Sequence, residues 1–303
     1  MSNVMKFKAL IKKVAKEKQI TAQSILQNFM LERFLERMSL SSYKDKFILK
    51  GGFLIASIAG LSARSTMDMD ATIKGYPVTQ KSIESMISEI IDIQLNDEVA
   101  FVLSSIKEIR ETDDYAGYRA ALKGEYANSK LAVDLKIDIT TGDSISPKEI
   151  KYSYPLLFEN RSISILAYSF VTVLAEKIET ILSRGDQSTR PRDYYDVFLL
   201  LKLFEERIDF SVLFEAIHKT ATRRNSVFIF SDYPNILDSV KHSKEMQKRW
   251  EIYQYEYSYA QHIIFDDICD LIKTIMDKER YCNELNKNQF VTVPCLIYFS
   301  YLP

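Results

Sequence analysis

The chain has 303 residues, 47% hydrophobic and 27% charged, a composition that excludes a disordered polymer and suffices for one large domain or two ordinary ones. Lys and Arg total 40 against 41 Asp and Glu, so global charge makes no case for a nucleic acid or a membrane surface, and any basic patch has to be local. No window approaches an uninterrupted membrane-spanning run, the lysine-dotted N-terminus is not a signal peptide, and the widely spaced Cys269, Cys282 and Cys295 fit free thiols in a reducing cytoplasm.

Residues 4–18 and 22–39 read as two helices. The second has Thr21 as its N-cap and carries Ile25, Phe29, Phe34 and Leu35 near one stripe. A short strand at 47–49 leads through Gly51-Gly52 into a helix over 52–59, which Gly60 stops. After a loop at 61–66, residues 67–74 alternate as a strand. Asp68, Asp70 and Thr72 then share one face, with Met67, Met69, Ala71 and Ile73 on the other. Thr79 caps a helix running to about residue 94, and 99–109 with 117–126 make a β-hairpin across 113–117.

Residues 131–139 alternate cleanly. Leu131, Val133, Leu135, Ile137 and Ile139 face inward, and Asp134, Lys136 and Asp138 face the other way. A looser stretch follows, and 163–166 is the last strand. From Ser169 the period changes: Val171, Leu174, Ala175, Ile178, Ile181 and Leu182 make 170–184 an amphipathic helix that ends at Gly185. Further helices are expected over 191–204, 209–222 and, as one long rod, 243–278. The change of period divides the chain into an α/β domain at 1–165 and a helical domain at 166–303, expected to complete an active-site cleft. The apolar tail at 290–302 reads as a packed strand.

Two carboxylates side by side on a strand repel each other unless a cation lies between them, and hard ions such as Mg²⁺ or Mn²⁺ favour such oxygen ligands. Asp68 and Asp70 supply that pair. A third carboxylate is expected from a neighbouring strand; Asp138, near a strand end, is chosen, with Asp134 on the same face as the fallback. Each could instead simply face solvent. Bare N–H groups at Gly51 and Gly52 could cradle phosphate at a helix start. Lys177 and Arg184 lie two turns apart on one helix flank, where they could bind the β- and γ-phosphates or merely border the core. Asp193 and Asp196 share a face of the next helix, where either could orient these cations or only favour the helix dipole. His218, His242 and His262 lack ligand-like spacing. Tyr253, Tyr255, Tyr257 and Tyr259 near Trp250 read as packing more than as base stacking. Residues 219–249 carry Lys219, Arg223, Arg224, Lys241, Lys244, Lys248 and Arg249, the best local candidate for an RNA backbone contact.

Taken together, KGG at 50–52, RSTMDMD at 64–70, LKIDITTGD at 135–143, AEKIETILSR at 175–184 and RPRDYYDV at 190–197 resemble the AbiEii/AbiGii family of bacterial toxins. The resemblance runs in order over about residues 46–200. It implies a DNA-polymerase-β-like nucleotidyltransferase core, a mixed sheet with flanking helices, followed by an all-α domain. It maps the metal-binding positions onto Asp68 and Asp70, the family lysine onto Lys177 and the later catalytic aspartate onto Asp193, with Asp196 close behind. Thr66 takes the hydroxyl position of the first motif. The common Gly-Ser form is replaced here by Gly51-Gly52, so Thr66 or Ser65 would supply the missing hydroxyl.

The resemblance further implies a nucleoside triphosphate substrate, transfer of a nucleotide to the tRNA 3′ end, growth arrest in abortive infection, and a winged-helix antitoxin that acts without a stable complex. A protein hydroxyl or a small molecule as acceptor, and a non-catalytic GTP- or ATP-binding regulator, are the alternatives.

Overall fold

The computed structural model describes residues 3–109, 117–127, 129 and 131–288, with side chains through 281. The turn expected at 113–117 lies almost wholly outside these residues, as do the tail at 290–302, Cys295 and the Cys282 side chain. The chain divides into two compact units: Met1–Asp143 with Glu149–Tyr168, and Ser144–Lys148 with Ser169–Pro303. Among the described residues, no helix is long and apolar enough to cross a membrane.

In the first unit the order is α1 (Asn3–Lys18), α2 (Ala22–Leu40), β1 (Phe47–Lys50), α3 (Gly51–Ala59), β2 (Met69–Ile73), α4 (Gln80–Ile91), β3 (Val99–Glu108), β4 (Gly117–Tyr126), β5 (Ala132–Thr141), β6 (Ile150–Pro155) and β7 (Ser162–Ala167). The strands form one mixed sheet in the order β3-β4-β5-β2-β1-β7-β6. Pairs β2–β5 and β1–β7 are parallel, and the others are antiparallel. Alternation decides which side chains enter the core: Met69, Ala71, Val133, Leu135, Ile137 and Ile139 are all buried. The aspartates between them turn to the other face.

Local chemistry accounts for the helix starts. The Thr21 hydroxyl accepts from the Ser24 N–H at 3.0 Å, and Thr79 makes a reciprocal capping box with Ser82. Gly60 ends α3 with a positive φ of 87°.

Two expectations need correction in this unit. The looser stretch before 163–166 contains strand β6, antiparallel to β7. Its residues alternate poorly because it is an edge strand, mostly exposed apart from Tyr154. Helix α2 has no single buried stripe: every residue from Ile25 to Met38 is buried, including Gln27, Asn28, Glu32, Arg33, Glu36 and Arg37. Their charges are neutralised in pairs. Arg37 donates to both Asp97 oxygens at 2.7 and 3.0 Å. Arg33 pairs with Glu32, Glu36 and Glu159, and Arg161 bridges Glu36 and Glu159.

The second unit is helical: α5 (Phe170–Arg184), α6 (Pro191–Phe204), α7 (Phe210–Arg223), α8 (Ile229–His242), α9 (Lys244–Glu256) and α10 (Phe265–Asn288). Helix α8, with Pro234 in its second turn, is absent from the sequence reading. The rod expected over 243–278 is broken into α9 and α10. Tyr257 is extended, and the Gln254 amide and the Trp250 indole N–H donate to the Ile263 carbonyl between the helices. Those side chains satisfy a carbonyl that helix continuation would otherwise have used.

The Glu32 carboxylate accepts from the Leu157 N–H at 2.6 Å and from Arg33 at 2.7 Å. Burial nevertheless pushes its pKa up to about 7, against the opposing pull of Arg33. An acid whose pKa rises on folding holds a proton that the unfolded chain has released, so its contribution to stability is lost as pH rises from about 4.5 through 7. Relative to Glu32→Gln, the unaltered chain should lose about 2–3 kcal/mol of unfolding free energy between pH 4.5 and pH 8. Denaturant unfolding of both proteins across that range checks this; parallel pH curves would contradict it.

Candidate active site

The centre of the sheet carries one row of charges. Lys50 on β1 stands opposite Asp70 on β2, Asp70 opposite Asp138 on β5, and Asp138 opposite Arg119 on β4. Directly opposed residues on neighbouring strands share a face. The row therefore reads cation, carboxylate, carboxylate, cation. Asp68 lies just ahead of β2 and not within it, but the alternation persists through it: Asp68 and Asp70 are half-buried, while Met69 between them is fully buried.

Glycine is required beside Asp70. Gly51 has a φ of 68°, and a Cβ there would collide with the Asp70 carboxylate. At Gly52 a Cβ would come within 3.0 Å of the Arg64 guanidinium and 3.1 Å of the Thr66 hydroxyl. The glycine pair thus lets the start of α3 press against the acidic strand and the loop that precedes it. Arg64 is buried and donates to the Ser65 carbonyl. The Thr66 hydroxyl donates to the Asp68 carbonyl at 3.3 Å. From α2, Asn28 donates to the Thr66 carbonyl at 2.9 Å and Gln27 to the Met67 carbonyl at 2.6 Å. Two buried amides therefore hold the segment that presents Asp68. Sequence reading missed them because they lie on a helix with no motif of its own.

Lys50 and Asp143 were also given no role by the residue pattern alone. Lys50 is buried, the Asp143 side chain is only 6% exposed, and the Lys50 ammonium meets Asp143 at 2.5 Å. Asp143 also accepts from the Thr140 hydroxyl at 2.7 Å. This closes the end of β5 onto the end of β1.

Asp138 is held differently from a free metal ligand. Arg119 donates from Nε to one of its oxygens and from Nη2 to the other, both at 2.7 Å. That contact raises the basicity of Arg119, against an opposing burial effect, and Asp68 and Asp70 add to the rise. Among the described residues, no three His, Cys, Asp or Glu side chains stand where they could hold a metal ion together. Asp68 and Asp70 alone do fit Mg²⁺ or Mn²⁺ in donor type, since such ions commonly take one or two carboxylates and complete their shell with water and substrate phosphates. Asp138, with both oxygens engaged, does not fit as a third ligand in this arrangement. Asp134, the fallback, is exposed and stands opposite Lys123.

In the second unit Lys177 on α5 forms ion pairs with Asp193 and, at 3.1 Å, with Asp196, both on α6. The two aspartates are buried. Pro191 opens α6, and the three-residue spacing turns both carboxylates toward the lysine. Arg184, seven residues along α5, is exposed.

The basic segment 219–249 is largely neutralised. Lys219 pairs with Glu215, Arg224 with Glu176 and Glu179, Lys241 with Asp270 and Arg249 with Glu245. Tyr253, Tyr257 and Tyr259 cluster with Trp250 and Tyr195, and Tyr255 is exposed. His218 stacks on Phe230 and meets Glu279.

The family described as nucleotidyl transferase AbiEii toxin, of type IV toxin–antitoxin systems, matches residues 33–270. Among solved structures the chain is similar to JHP933 from Helicobacter pylori, at 14% identity over 88% of this chain and 99% of that one, with a TM-score of 0.47. It is also similar to an antigenic nucleotidyltransferase-like protein from Paracoccidioides brasiliensis, at 13% identity over 71% and 92%, with a TM-score of 0.36. No curated protein sequence matches it significantly. With most of its length matched to the family, the chain belongs to the AbiEii nucleotidyl transferase toxins of type IV toxin–antitoxin systems.

Proposed function

We propose that this toxin moves a nucleoside monophosphate from a nucleoside triphosphate onto the 3′ end of tRNA, in a Mg²⁺-dependent reaction that blocks translation and arrests growth during phage infection. Family membership supports the transferase and toxin parts of this reading. The observation that carries the chemistry is the pair Asp68–Asp70, set on one face beside the glycine turn at Gly51.

A divalent ion bound there would supply positive charge to the triphosphate. Asp68 and Asp70 would hold it. Backbone N–H groups at Gly51 and Gly52 would face phosphate oxygens, with the Thr66 hydroxyl nearby in sequence and fold. Lys177 would act as the phosphate-binding cation, fixed by Asp193 and Asp196, with Arg184 contributing a second positive charge. In the step itself the acceptor hydroxyl oxygen bonds to the α-phosphorus and loses its proton to water. The bond from that phosphorus to the β-phosphate oxygen breaks, and pyrophosphate leaves. Asp138 is a poor choice for the proton acceptor, since a guanidinium already engages both of its oxygens. The antitoxin would be a winged-helix repressor that counters toxicity without a stable complex.

A second acceptor has a specific observation behind it. The ion-paired state of the 219–249 segment leaves less free positive charge for an RNA backbone than its sequence suggests, which favours a protein hydroxyl or a small molecule as the alternative.

Purified protein incubated with each labelled triphosphate and total RNA should place label on tRNA 3′ ends, read by mass spectrometry of those ends. Label found in protein alone would overturn the tRNA assignment. Asp70→Asn should lower transfer by about 10²–10³-fold, the usual loss when a group stabilising transition-state charge is removed, without loss of cooperative unfolding. Gly51→Ala, which forces a side chain onto Asp70, should cost about 10²-fold in transfer through misplacement of the carboxylate. Transfer at the unaltered rate would show that the close approach is irrelevant. Lys177→Ala leaves two buried aspartates without this cation and should destabilise the fold by about 3 kcal/mol, measured by denaturant unfolding.

A further inference from the structure

The charge row across β1, β2, β5 and β4 ends on Arg119, and Arg119 has no place in the family motifs described above. Its guanidinium closes both oxygens of Asp138 in a side-on bidentate pair at 2.7 Å each. Such planar pairs are among the stronger and more directional ion pairs in proteins. The carboxylate it closes stands directly opposite Asp70 on a parallel neighbour, the position from which a third carboxylate would otherwise recruit a second divalent ion. The Arg119 side chain remains 41% exposed, so the pair lies at the surface of the sheet and not beneath it.

We infer that Arg119 is a built-in cation that takes the place of a second divalent ion: by closing Asp138 it limits the row to one ion, held by Asp68 and Asp70. This rests on the reading of Asp68 and Asp70 as a divalent-ion pair. The charges are consistent with it. Arg119 offsets the charge of Asp138, so the carboxylates that a single divalent ion would meet are those of Asp68 and Asp70. Arg119 acts on the ion count through Asp138, so it is a positioning residue. Its charge does not depend on pH in the working range, which distinguishes it from a metal ion that can dissociate.

The test is a Mn²⁺ titration of the full chain, with free Mn²⁺ followed by its electron paramagnetic resonance signal and folding checked by cooperative thermal unfolding. The unaltered protein should bind one Mn²⁺ per chain, and Asp70→Asn should abolish that binding. Arg119→Ala and Arg119→Gln free Asp138, and each should gain a second bound Mn²⁺. Combining Arg119→Ala with Asp138→Asn should return the count to one. Two bound ions in the unaltered protein would overturn the role of Arg119 while leaving the Asp68–Asp70 reading intact. A count that stays at one in whichever folded Arg119 variant is measured would do the same. No bound ion in the unaltered protein would overturn the metal reading itself, and this inference with it.

Discussion

The parallel pairing of β2 with β5 is the constraint on which the site depends. Five consecutive residue pairs, Met69–Ile137 through Ile73–Thr141, lock the two strands in register. On one face Met69, Ala71, Ile137 and Ile139 are fully buried. A slip of one residue would drive Asp70 and Asp138 into that core and expose the apolar set. Hydrophobic burial on the inner face therefore fixes the separation of two like charges on the outer face, a separation they would not choose for themselves. At one end of the row Arg119 offsets Asp138, and at the other Lys50 is paired with Asp143 beyond the end of β5.

The same register explains what could and could not be read from sequence. Asp68, Asp70 and Asp138 announce their face through simple alternation, and that face is where the structure places them. Arg119 carries no such signal. It is one of many basic residues, and only strand pairing brings it opposite Asp138. Its effect is to alter what Asp138 can do, which no local pattern encodes. The N-caps Thr21 and Thr79 are local devices and were legible. The full burial of α2 was not, because its Glu and Arg residues look like a solvated face until Glu159, Arg161 and Asp97 supply the partners. Strand β6 and helix α8 were missed for related reasons: an edge strand does not need to alternate, and a proline in an early turn disguises a helix.

Helix α2 also links stability to the site. Its buried ion pairs are a weak source of net stability, since desolvation offsets most of their attraction. Their value lies in direction. Gln27 and Asn28 sit on the same helix, about one turn ahead of these charges, and both donate to backbone carbonyls of the loop before Asp68. A helix anchored at several charged points cannot rotate without breaking them, so its amides stay aimed at Thr66 and Met67. The loop carries its own internal bonds from Arg64 and Thr66. A segment that would otherwise be mobile is over-determined where it enters β2.

Lys177 follows the same logic in the helical unit. A free lysine on a helix flank samples many rotamers, and ordering it on a phosphate costs up to about 2 kcal/mol of side-chain entropy. Here Asp193 and Asp196 hold the ammonium in advance. On the proposed reading of Lys177 as the phosphate-binding cation, that cost is met when the chain folds and would not be met again on binding. Asp193 and Asp196 therefore need not touch a substrate for their loss to be felt; their contribution is that the position of the Lys177 ammonium is settled by folding. Preorganised charge of this kind, and not covalent participation by the protein, is what transfer at phosphorus chiefly demands.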